Sequence, residues 1–369
     1  MKWSWNIGRI AGIDLKIHLT FFFLLLWVGF SAMFSGGGAL DVLSEILFIL
    51  ALFFCVVLHE LGHALTAKRF GIATRNITLL PIGGVARLDS MPEDPKEELL
   101  VAAAGPAVNV LISILLFGGL IISGILTQPM NISALLDNFW LRLLAVNISL
   151  VVFNLIPAFP MDGGRVLRAI LASRVEYDKA TRIAVNIGRG FAVLMGIAGF
   201  FFNPWLILTA LFVWSVAGAE ARAVEVKAGM KGLLVRDAMI SQFYQVEDNQ
   251  AMESVFQLSL ATGQQHIPVV SNGNFLGIIR RSDLLIALDK LGNRAPAYTA
   301  IGLEPQGIEP ESPLQDVLPE FRTSRVQPVI ENRQLIGLVT PESVQQRMWL
   351  NKRKKQIGPQ PPSETVNPT

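Results

Sequence analysis

The sequence contains little charge. Asp, Glu, Lys and Arg make up 16% of its 369 residues, whereas an average soluble domain has about 25%. The shortage is uneven, because long uncharged runs recur from Ile17 to Val216 and the composition becomes ordinary from Lys231 onward. This change predicts a membrane-embedded domain followed by a water-soluble one. A net charge of +2 is too small to indicate a nucleic-acid-binding protein.

Cysteine is nearly absent as well. The single cysteine, Cys55, excludes an intrachain disulfide, so cysteine usage says nothing about the redox compartment. The basic N-terminal segment also lacks the short apolar stretch and small-residue cleavage site of a signal peptide. Its apolar stretch continues from Leu19 through Phe34, which predicts an uncleaved first membrane helix.

About six apolar segments have the length of a membrane span, roughly 17–25 residues. The connections Ser35–Asp41, Thr127–Ala134 and Asn203-Pro204 contain no Lys or Arg, whereas the opposite connections are rich in both. The positive-inside rule therefore places both termini in the cytosol. Arg142 is the exception, and we expect its side chain to extend to the membrane interface. The predicted spans are Ile17–Phe34, Val42–Thr66, Leu99–Leu126, Leu135–Ile156, Ile183–Phe202 and Trp205–Ala221.

The segment Gly71–Pro95 is too short for a further span. Ile77–Leu80 and Val85–Leu88 flank the turn-forming Pro81–Gly84, which predicts two short strands. Such backbone is tolerated at membrane depth only where it is buried in protein or lines a wet cavity. We therefore place this hairpin at the cytosolic mouth of a site.

A metal-binding pattern, H-E-x-x-H, lies at the end of the second apolar run. His59 and His63 are four residues apart, so on a helix both imidazoles face one metal ion. Glu60 follows the first ligand and can take a proton from a water that zinc has acidified to a pKa of about 7. Catalytic zinc uses three protein ligands and one open position. Asp162 is the candidate for the third, and Cys55, one turn before His59, is the alternative.

Asp162 follows the fourth span in the segment Asn154–Arg165, at the same membrane level as His63. Pro157 and Pro160 break the helix there, so the carboxylate can point back into the bundle. The alternative is an ordinary aspartate that caps the helix after it.

Together, HELGH on a membrane helix and N-x-x-P-x-x-P-x-D-G-G about a hundred residues later resemble the site-2 protease family of membrane zinc metalloproteases. The resemblance covers about residues 1–224. It implies one Zn²⁺ per chain, held by His59, His63 and Asp162, with Glu60 catalytic and Asn154 assisting at the metal centre or its oxyanion. The Gly-x-x-x-Asn element of the family falls on Gly105–Asn109, and the Pro81–Gly84 hairpin resembles its substrate-aligning strand.

A repeat follows Lys231. Residues 266–279 align without gaps on residues 326–339, and in each copy two short strands precede a helical pattern. These copies resemble CBS domains, whose pairs bind adenosine nucleotides and commonly dimerise. The resemblance places ligand-binding groups at Asp283 in the first copy and Thr340 in the second, while Arg280 and Ser343 occupy the positions of the other two expected groups. A regulatory or dimerisation module with no ligand remains the alternative.

The predicted fold class is an α-helical polytopic membrane protein with a cytosolic α/β CBS pair. The membrane domain spans residues 1–224 and the CBS pair residues 225–350, in halves of about 232–290 and 300–350, before a disordered tail at 351–369.

The predicted activity is zinc metalloendopeptidase cleavage of transmembrane segments, as in regulated intramembrane proteolysis. Besides the lipid bilayer, the family resemblance implies a single-span membrane protein as partner, such as an anti-sigma factor or another membrane-tethered regulator. We also expect a homodimer formed through the CBS domains and a location in a bacterial-type plasma membrane. The alternative is a transporter or channel in which His59, Glu60, His63 and Asp162 form an ion path, although no repeated half-structure supports it.

Overall fold

The computed structural model describes residues 3–88, 91–127, 138–322 and 324–357. Within it the chain divides into two compact units, Met1–Val224 and Glu225–Thr369. Each unit has its own sheet and its own buried clusters.

The first unit is a helical bundle with a small sheet. In the described residues, four helices are long and apolar enough to cross a membrane: Ala39–Arg69, Pro95–Ile122, Tyr177–Phe201 and Trp205–Met230. Leu19–Phe34 and Phe139–Asn154 are shorter apolar helices of 16 residues each. The helices are α1 (Leu19–Phe34), α2 (Ala39–Arg69), α3 (Pro95–Ile122), α4 (Phe139–Asn154), α5 (Asp162–Ala172), α6 (Tyr177–Phe201) and α7 (Trp205–Met230), with a 3-10 turn at Ile125–Thr127. Each of the six predicted spans thus overlaps one helix, although residues 135–137 of the fourth span and most of the outer connection predicted at Thr127–Ala134 lie outside the described residues.

The sheet of this unit has the order β1-β2-β3-β4, formed by β1 (Ser4–Ile10), β2 (Ile13–His18), β3 (Thr74–Leu80) and β4 (Gly83–Leu88). The two strands predicted between the second and third spans are confirmed as β3 and β4. The first two strands were not predicted, and β2 pairs in parallel with β3. Ile17 and His18 therefore belong to β2 and not to the first helix, which begins at Leu19.

Local sequence explains where several helices begin. The Asp94 side chain accepts hydrogen bonds from the backbone N–H groups of Lys96 and Glu97, at 2.9 and 3.1 Å, and Pro95 fits the first helical position of α3. Asn138 caps α4 in the same way. His18 caps α1, because its Nδ1 accepts from the backbone N–H of Thr20 at 3.3 Å.

Close contact between α2 and α3 depends on Gly62. A Cβ at this position would lie 2.8 Å from the Ala104 carbonyl oxygen and 2.9 Å from a Val108 methyl carbon. Because real Cβ atoms do not approach backbone oxygen so closely, only glycine allows the two helices to meet here. This contact brings the histidine-bearing turns of α2 against α3.

Arg142, which we expect to extend to the membrane interface, forms an ion pair with Glu45. Its guanidinium donates to both carboxylate oxygens of Glu45 on α2, at 2.6 and 2.8 Å, and lies 4.1 Å from the ring centroid of Phe48. In a bidentate ion pair of this kind, each of the two partly exposed side chains neutralises the charge of the other. Arg142 therefore joins α4 to α2.

The second unit contains the two repeat copies in one five-stranded sheet, with the order β5-β6-β7-β9-β8. Its strands are β5 (Val246–Glu247), β6 (His266–Ser271), β7 (Asn274–Arg280), β8 (Gln327–Glu331) and β9 (Gln334–Val339). Its helices are α8 (Val235–Ala238), α9 (Met252–Thr262), α10 (Arg281–Leu291) and α11 (Pro341–Ile357), with 3-10 turns at Ala297–Ala300, Leu314–Val317 and Glu320–Arg322. The two aligned copies thus form equivalent strand–turn–strand–helix units.

The helix α11 continues to Ile357, into the segment predicted to be disordered from residue 351. Contacts within the second unit explain the extension. Asn351 donates to the Gly229 carbonyl at 3.2 Å, and Lys352 pairs with Glu225. The remainder of the predicted tail, residues 358–369, lies outside the described residues.

Candidate metal centre

The two histidines of H-E-x-x-H lie on one buried face of α2. His59 is 7% exposed and His63 is 5% exposed, and their Nε2 atoms are 3.1 Å apart. The four-residue spacing on a regular helix produces this convergence, because such residues lie on the same face. The pair alone offers two nitrogen donors to one ion.

Asp162 completes a cluster of three donor groups. It is the first residue of α5, and its Oδ2 lies 3.2 Å from the Nε2 of His59 and 3.1 Å from the Nε2 of His63. Within the described residues, this trio is the group of His, Cys, Asp and Glu side chains close enough to hold a metal ion. The site therefore assembles from helices separated by about a hundred residues in sequence, as the His63–Asp162 separation of 99 shows.

Glycines after Asp162 allow the tight approach of α5 to the preceding segment. A Cβ at Gly163 would lie 2.4 Å from the carbonyl oxygens of Ile156 and Leu155, and one at Gly164 would lie 2.8 Å from Ala158 backbone. Neither position accepts a side chain without a shift of the backbone. The D-G-G sequence thus allows the chain to turn back and present Asp162 to α2.

Hydrogen bonds outside the cluster assign the imidazole protons. His63 Nδ1 lies 2.7 Å from the Val101 carbonyl oxygen, and because a carbonyl only accepts, the proton is on Nδ1. His59 Nδ1 similarly lies 3.1 Å from the Asn109 side-chain oxygen. Both Nε2 lone pairs then face the Asp162 carboxylate.

Three electron-pair donors at such short separations repel one another unless a cation lies between them. Two imidazole nitrogens and a carboxylate oxygen are a donor set of catalytic zinc sites, which leave a fourth position open. Donation from the outer imidazole nitrogens to carbonyl-type oxygens is the usual support of such ligands. The residues present therefore fit a zinc ion.

Gly105 provides the space beside the two imidazoles. A Cβ at this position would lie 2.2 Å from the Nε2 of His63 and 2.7 Å from the Nε2 of His59. It would thus clash with the two imidazole nitrogens that face the metal position. Family resemblance draws attention to Gly105, but only the three-dimensional arrangement shows that its missing side chain leaves the metal position free.

The Asn109 contact leads to a first prediction. Replacing Asn109 by Ala removes the acceptor for His59 Nδ1–H, and we expect zinc affinity to fall about 10–100-fold. Competition with a chromogenic chelator measures this change in the purified protein. Asn147→Ala is the matched control, since Asn147 is equally buried but donates to the Leu143 carbonyl and to Cys55. An equal loss in both variants would contradict the role of Asn109.

Glu60 lies beside the cluster and contacts the sheet. Its Oε2 accepts a hydrogen bond from the backbone N–H of Ala86 on β4 at 3.2 Å. A Cβ at Gly84 would lie 2.8 Å from the Cγ of Glu60. The edge strand therefore packs directly on the carboxylate next to the first histidine and fixes its direction.

Other polar candidates occupy different positions. The Cys55 thiol is buried and accepts from the Asn147 amide at 3.5 Å, and it is outside the cluster of three candidate ligands. His18 caps α1. Asn154 ends α4, half-buried, immediately before the segment that leads to Asp162. Across the described residues, Asn154 makes no hydrogen bond to the three donor groups.

The two candidate nucleotide-binding residues of the second unit have separate local roles. Asp283 is bound by the Arg280 guanidinium at 2.6 and 2.9 Å and lines a cavity of about 240 Å³. Thr340 accepts from the backbone N–H of Ser343 at 3.2 Å and so caps α11. Thr340 is not among the residues that line this cavity.

Comparisons with known proteins agree for both units. The family model of peptidase family M50 matches residues 47–128 and 122–197, and that of the CBS domain matches residues 235–290 and 304–348. A zinc metalloprotease of Methanocaldococcus jannaschii is 34% identical over 97% of this chain and 99% of the relative.

Two further matches cover smaller shares. A protein of Mycobacterium tuberculosis, also named as a zinc metalloprotease, is 30% identical over 92% of this chain and 91% of its own. A solved site-2 protease from Methanocaldococcus jannaschii is 41% identical and covers 60% of this chain and 96% of that one, with a TM-score of 0.43. On the near full-length sequence match, the chain belongs to peptidase family M50, the site-2 protease family of membrane metalloproteases, and it carries a CBS domain pair.

Proposed function

We propose that this chain hydrolyses a peptide bond within a membrane-spanning segment of another protein, with one zinc ion held by His59, His63 and Asp162. The convergence of these three buried donors on one point, at 3.1–3.2 Å from one another, carries the proposal. The zinc metalloprotease relatives support the choice of metal and of reaction class. They give no support to the alternative of a transporter or channel.

In this proposal zinc, when bound, supplies a Lewis acid and lowers the pKa of a coordinated water to about 7. Glu60 acts as the general base that takes the proton of the attacking water and passes it to the leaving amine. The Ala86 N–H holds the Glu60 carboxylate in position through Oε2, which leaves Oε1 for the proton. Asn154, at the end of α4, is proposed to donate to the developing oxyanion.

The free edge of β4 is the proposed binding place of the substrate. In the described part of the chain β4 is the last strand of its sheet, and its Ala86 N–H points to Glu60, so the outer edge of this strand lies beside the metal centre. A helix hides its scissile carbonyls in internal hydrogen bonds, so the substrate must unwind before hydrolysis. Pairing with an exposed strand edge holds an unwound segment extended.

The direct test uses the purified full chain in detergent with a model single-span substrate. We expect cleavage inside the span, its loss after treatment with a chelator, and its recovery on addition of Zn²⁺. Reconstitution in liposomes tests the alternative function. Ion flux without cleavage of the substrate would overturn the proposal.

The finer assignments of partner and location belong to the same proposal. We infer a single-span regulatory protein, such as an anti-sigma factor already trimmed outside the membrane, as the substrate. The bias of Lys and Arg among the connections supports cytosolic termini. We place the chain in a bacterial-type plasma membrane as part of the same proposal. A homodimer through the CBS pair is consistent with this arrangement.

For the CBS pair we propose regulation by an adenosine nucleotide, with Asp283 binding the ribose hydroxyls. AMP or ATP is then expected to raise the unfolding temperature of the wild-type chain, because a ligand that binds only the folded state stabilises it. Asp283→Ala should lose this shift. Asp289→Ala, an exposed acidic residue of the same helix, is the control that should retain it. No shift with wild type would favour a dimerisation module without a ligand.

A further inference from the structure

A cluster of buried charge lies outside the metal centre and has no part in the mechanism above. Arg168 on α5 is 1% exposed, and Glu98 on α3 is 0% exposed. The Nε and Nη2 atoms of Arg168 donate to Glu98 Oε1 at 2.8 and 2.5 Å, and its Nη1 donates to Glu220 on α7 at 2.6 Å. The guanidinium also lies about 5 Å from two aromatic ring centroids, at 5.1 Å for Phe159 and 5.0 Å for Tyr177.

This cluster connects the two parts of the metal centre. Arg168 is on the short helix whose first residue is Asp162, and Phe159 is in the segment that precedes this helix. Glu98 lies one turn before Val101 on α3, and the Val101 carbonyl accepts a hydrogen bond from the Nδ1–H of His63 at 2.7 Å. The ion pair therefore joins the helix of the carboxylate ligand to the helix that orients a histidine ligand.

Stability alone does not explain the arrangement. Replacing a buried ion pair by apolar residues of similar volume is often neutral or stabilising, because desolvation of the two charges offsets their attraction. The second carboxylate oxygen of Glu98 also has no hydrogen-bond partner in the described part of the chain. Buried polar and ionic groups are best documented where they fix the relative position of packed helices.

We infer that Arg168 and Glu98 are positioning residues for the metal centre: their ion pair sets the distance of Asp162 from His59 and His63. The inference rests on the proposed function, since it assumes that the three donors hold zinc. Arg168 is suited to this role because its planar fork donates to carboxylates on two other helices at once, which the single ammonium of Lys cannot do with the same geometry.

The test is the double variant Arg168→Met/Glu98→Leu. It removes both buried charges together, so neither is left uncompensated, and Glu220 keeps access to water because its side chain is 33% exposed. We expect the variant to fold, with a thermal unfolding midpoint near that of wild type. Its zinc affinity, measured by chelator competition, should fall about 10–100-fold, the effect usual for residues that orient metal ligands.

A spectroscopic measurement distinguishes a change in the position of the metal ligands from a general loss of protein stability. Wild type loaded with Co²⁺ reports its coordination geometry through the absorption bands of the metal, and the double variant is expected to change these bands. The control is Arg142→Met/Glu45→Leu, which removes an ion pair between α2 and α4 in the same unit. This control should keep both the zinc affinity and the cobalt spectrum.

The outcomes are distinguishable from failure of the proposed function. If wild type itself binds no zinc, the proposed function is wrong and the inference falls with it. If wild type binds zinc and the double variant binds it equally well with the same cobalt spectrum, the inference alone is overturned. Should the double variant not fold, Arg168→Lys decides, with an affinity loss of roughly 10-fold expected and an unchanged affinity contradicting the inference.

Discussion

Gly105→Ala is expected to weaken zinc binding severely. The new Cβ would lie 2.2 Å from the Nε2 of His63 and 2.7 Å from that of His59, the two atoms that face the metal position. Both imidazoles are also held through Nδ1, by the Val101 carbonyl and the Asn109 side-chain oxygen, so neither ring can rotate aside without losing a hydrogen bond. We expect zinc affinity to fall more than about 100-fold. This loss is larger than the one expected for Asn109→Ala, which removes only the hydrogen-bond partner of the His59 Nδ1–H.

Gly118→Ala on the same helix is the matched control for this prediction. A Cβ there meets nothing within 4 Å, so zinc affinity should remain that of wild type. Equilibrium competition with a chelator measures both variants, and thermal unfolding shows whether each is folded. A folded Gly105→Ala protein that binds zinc as wild type does would place the metal elsewhere.

Glu60→Gln is expected to remove cleavage and to retain zinc. The amide keeps an oxygen that can accept from the Ala86 N–H, so the position of the side chain is preserved. It cannot take a proton, however, and loss of a general base lowers the rate about 10²–10⁴-fold. The measurement is the turnover of a model transmembrane substrate at saturating concentration, together with the zinc content of the protein.

The comparison variant for Glu60→Gln is Glu176→Gln. Glu176 is in the same unit, its side chain is 73% exposed, and it pairs with Lys179 at the surface. It should cleave as wild type does. Two results would contradict the role of Glu60: full activity of Glu60→Gln, or loss of zinc in that variant, which would make Glu60 a ligand.

Local patterns predicted the parts of the metal centre that lie on one helix. His59, Glu60 and His63 are close in sequence, and the geometry of a helix alone places the two imidazoles together. Asp162 is 99 residues from His63, so spacing left its role open between a ligand and a helix cap, and family resemblance favoured the ligand. Its position beside the imidazoles depends on tertiary packing, to which Gly163 and Gly164 contribute.

For the first two strands and for the buried ion pair, the sequence pattern was weak or misleading. The alternation Ser4–Ile10 is typical of a strand, but the basic residues next to an apolar run suggested a simple membrane flank, and β1 and β2 were not predicted. The ion pair of Arg168 and Glu98 joins residues 70 positions apart on different helices. No periodicity indicates such a pair. The contacts of Gly105 and Ala86 became visible in the same way, only from the folded arrangement.

In the second unit the repeat was a reliable guide, because the two strands of each copy fall almost entirely within the aligned residues 266–279 and 326–339, and a helix follows directly in each copy. The boundary of the last helix was less predictable. Lys352 belongs to a basic segment that resembles a disordered tail, yet its pairing with Glu225 extends α11. Composition cannot show a partner that lies more than a hundred residues earlier in the chain.

Zinc-edge X-ray absorption of the purified wild-type chain tests the central claim most directly, because it reports the identity and number of the donor atoms. We expect one zinc per chain with two imidazole nitrogens and only oxygen besides, at about 2.0–2.2 Å. A sulfur shell at about 2.3 Å would make Cys55 a ligand, and fewer than two imidazoles would separate His59 from His63. Either result would contradict a zinc centre formed by His59, His63 and Asp162.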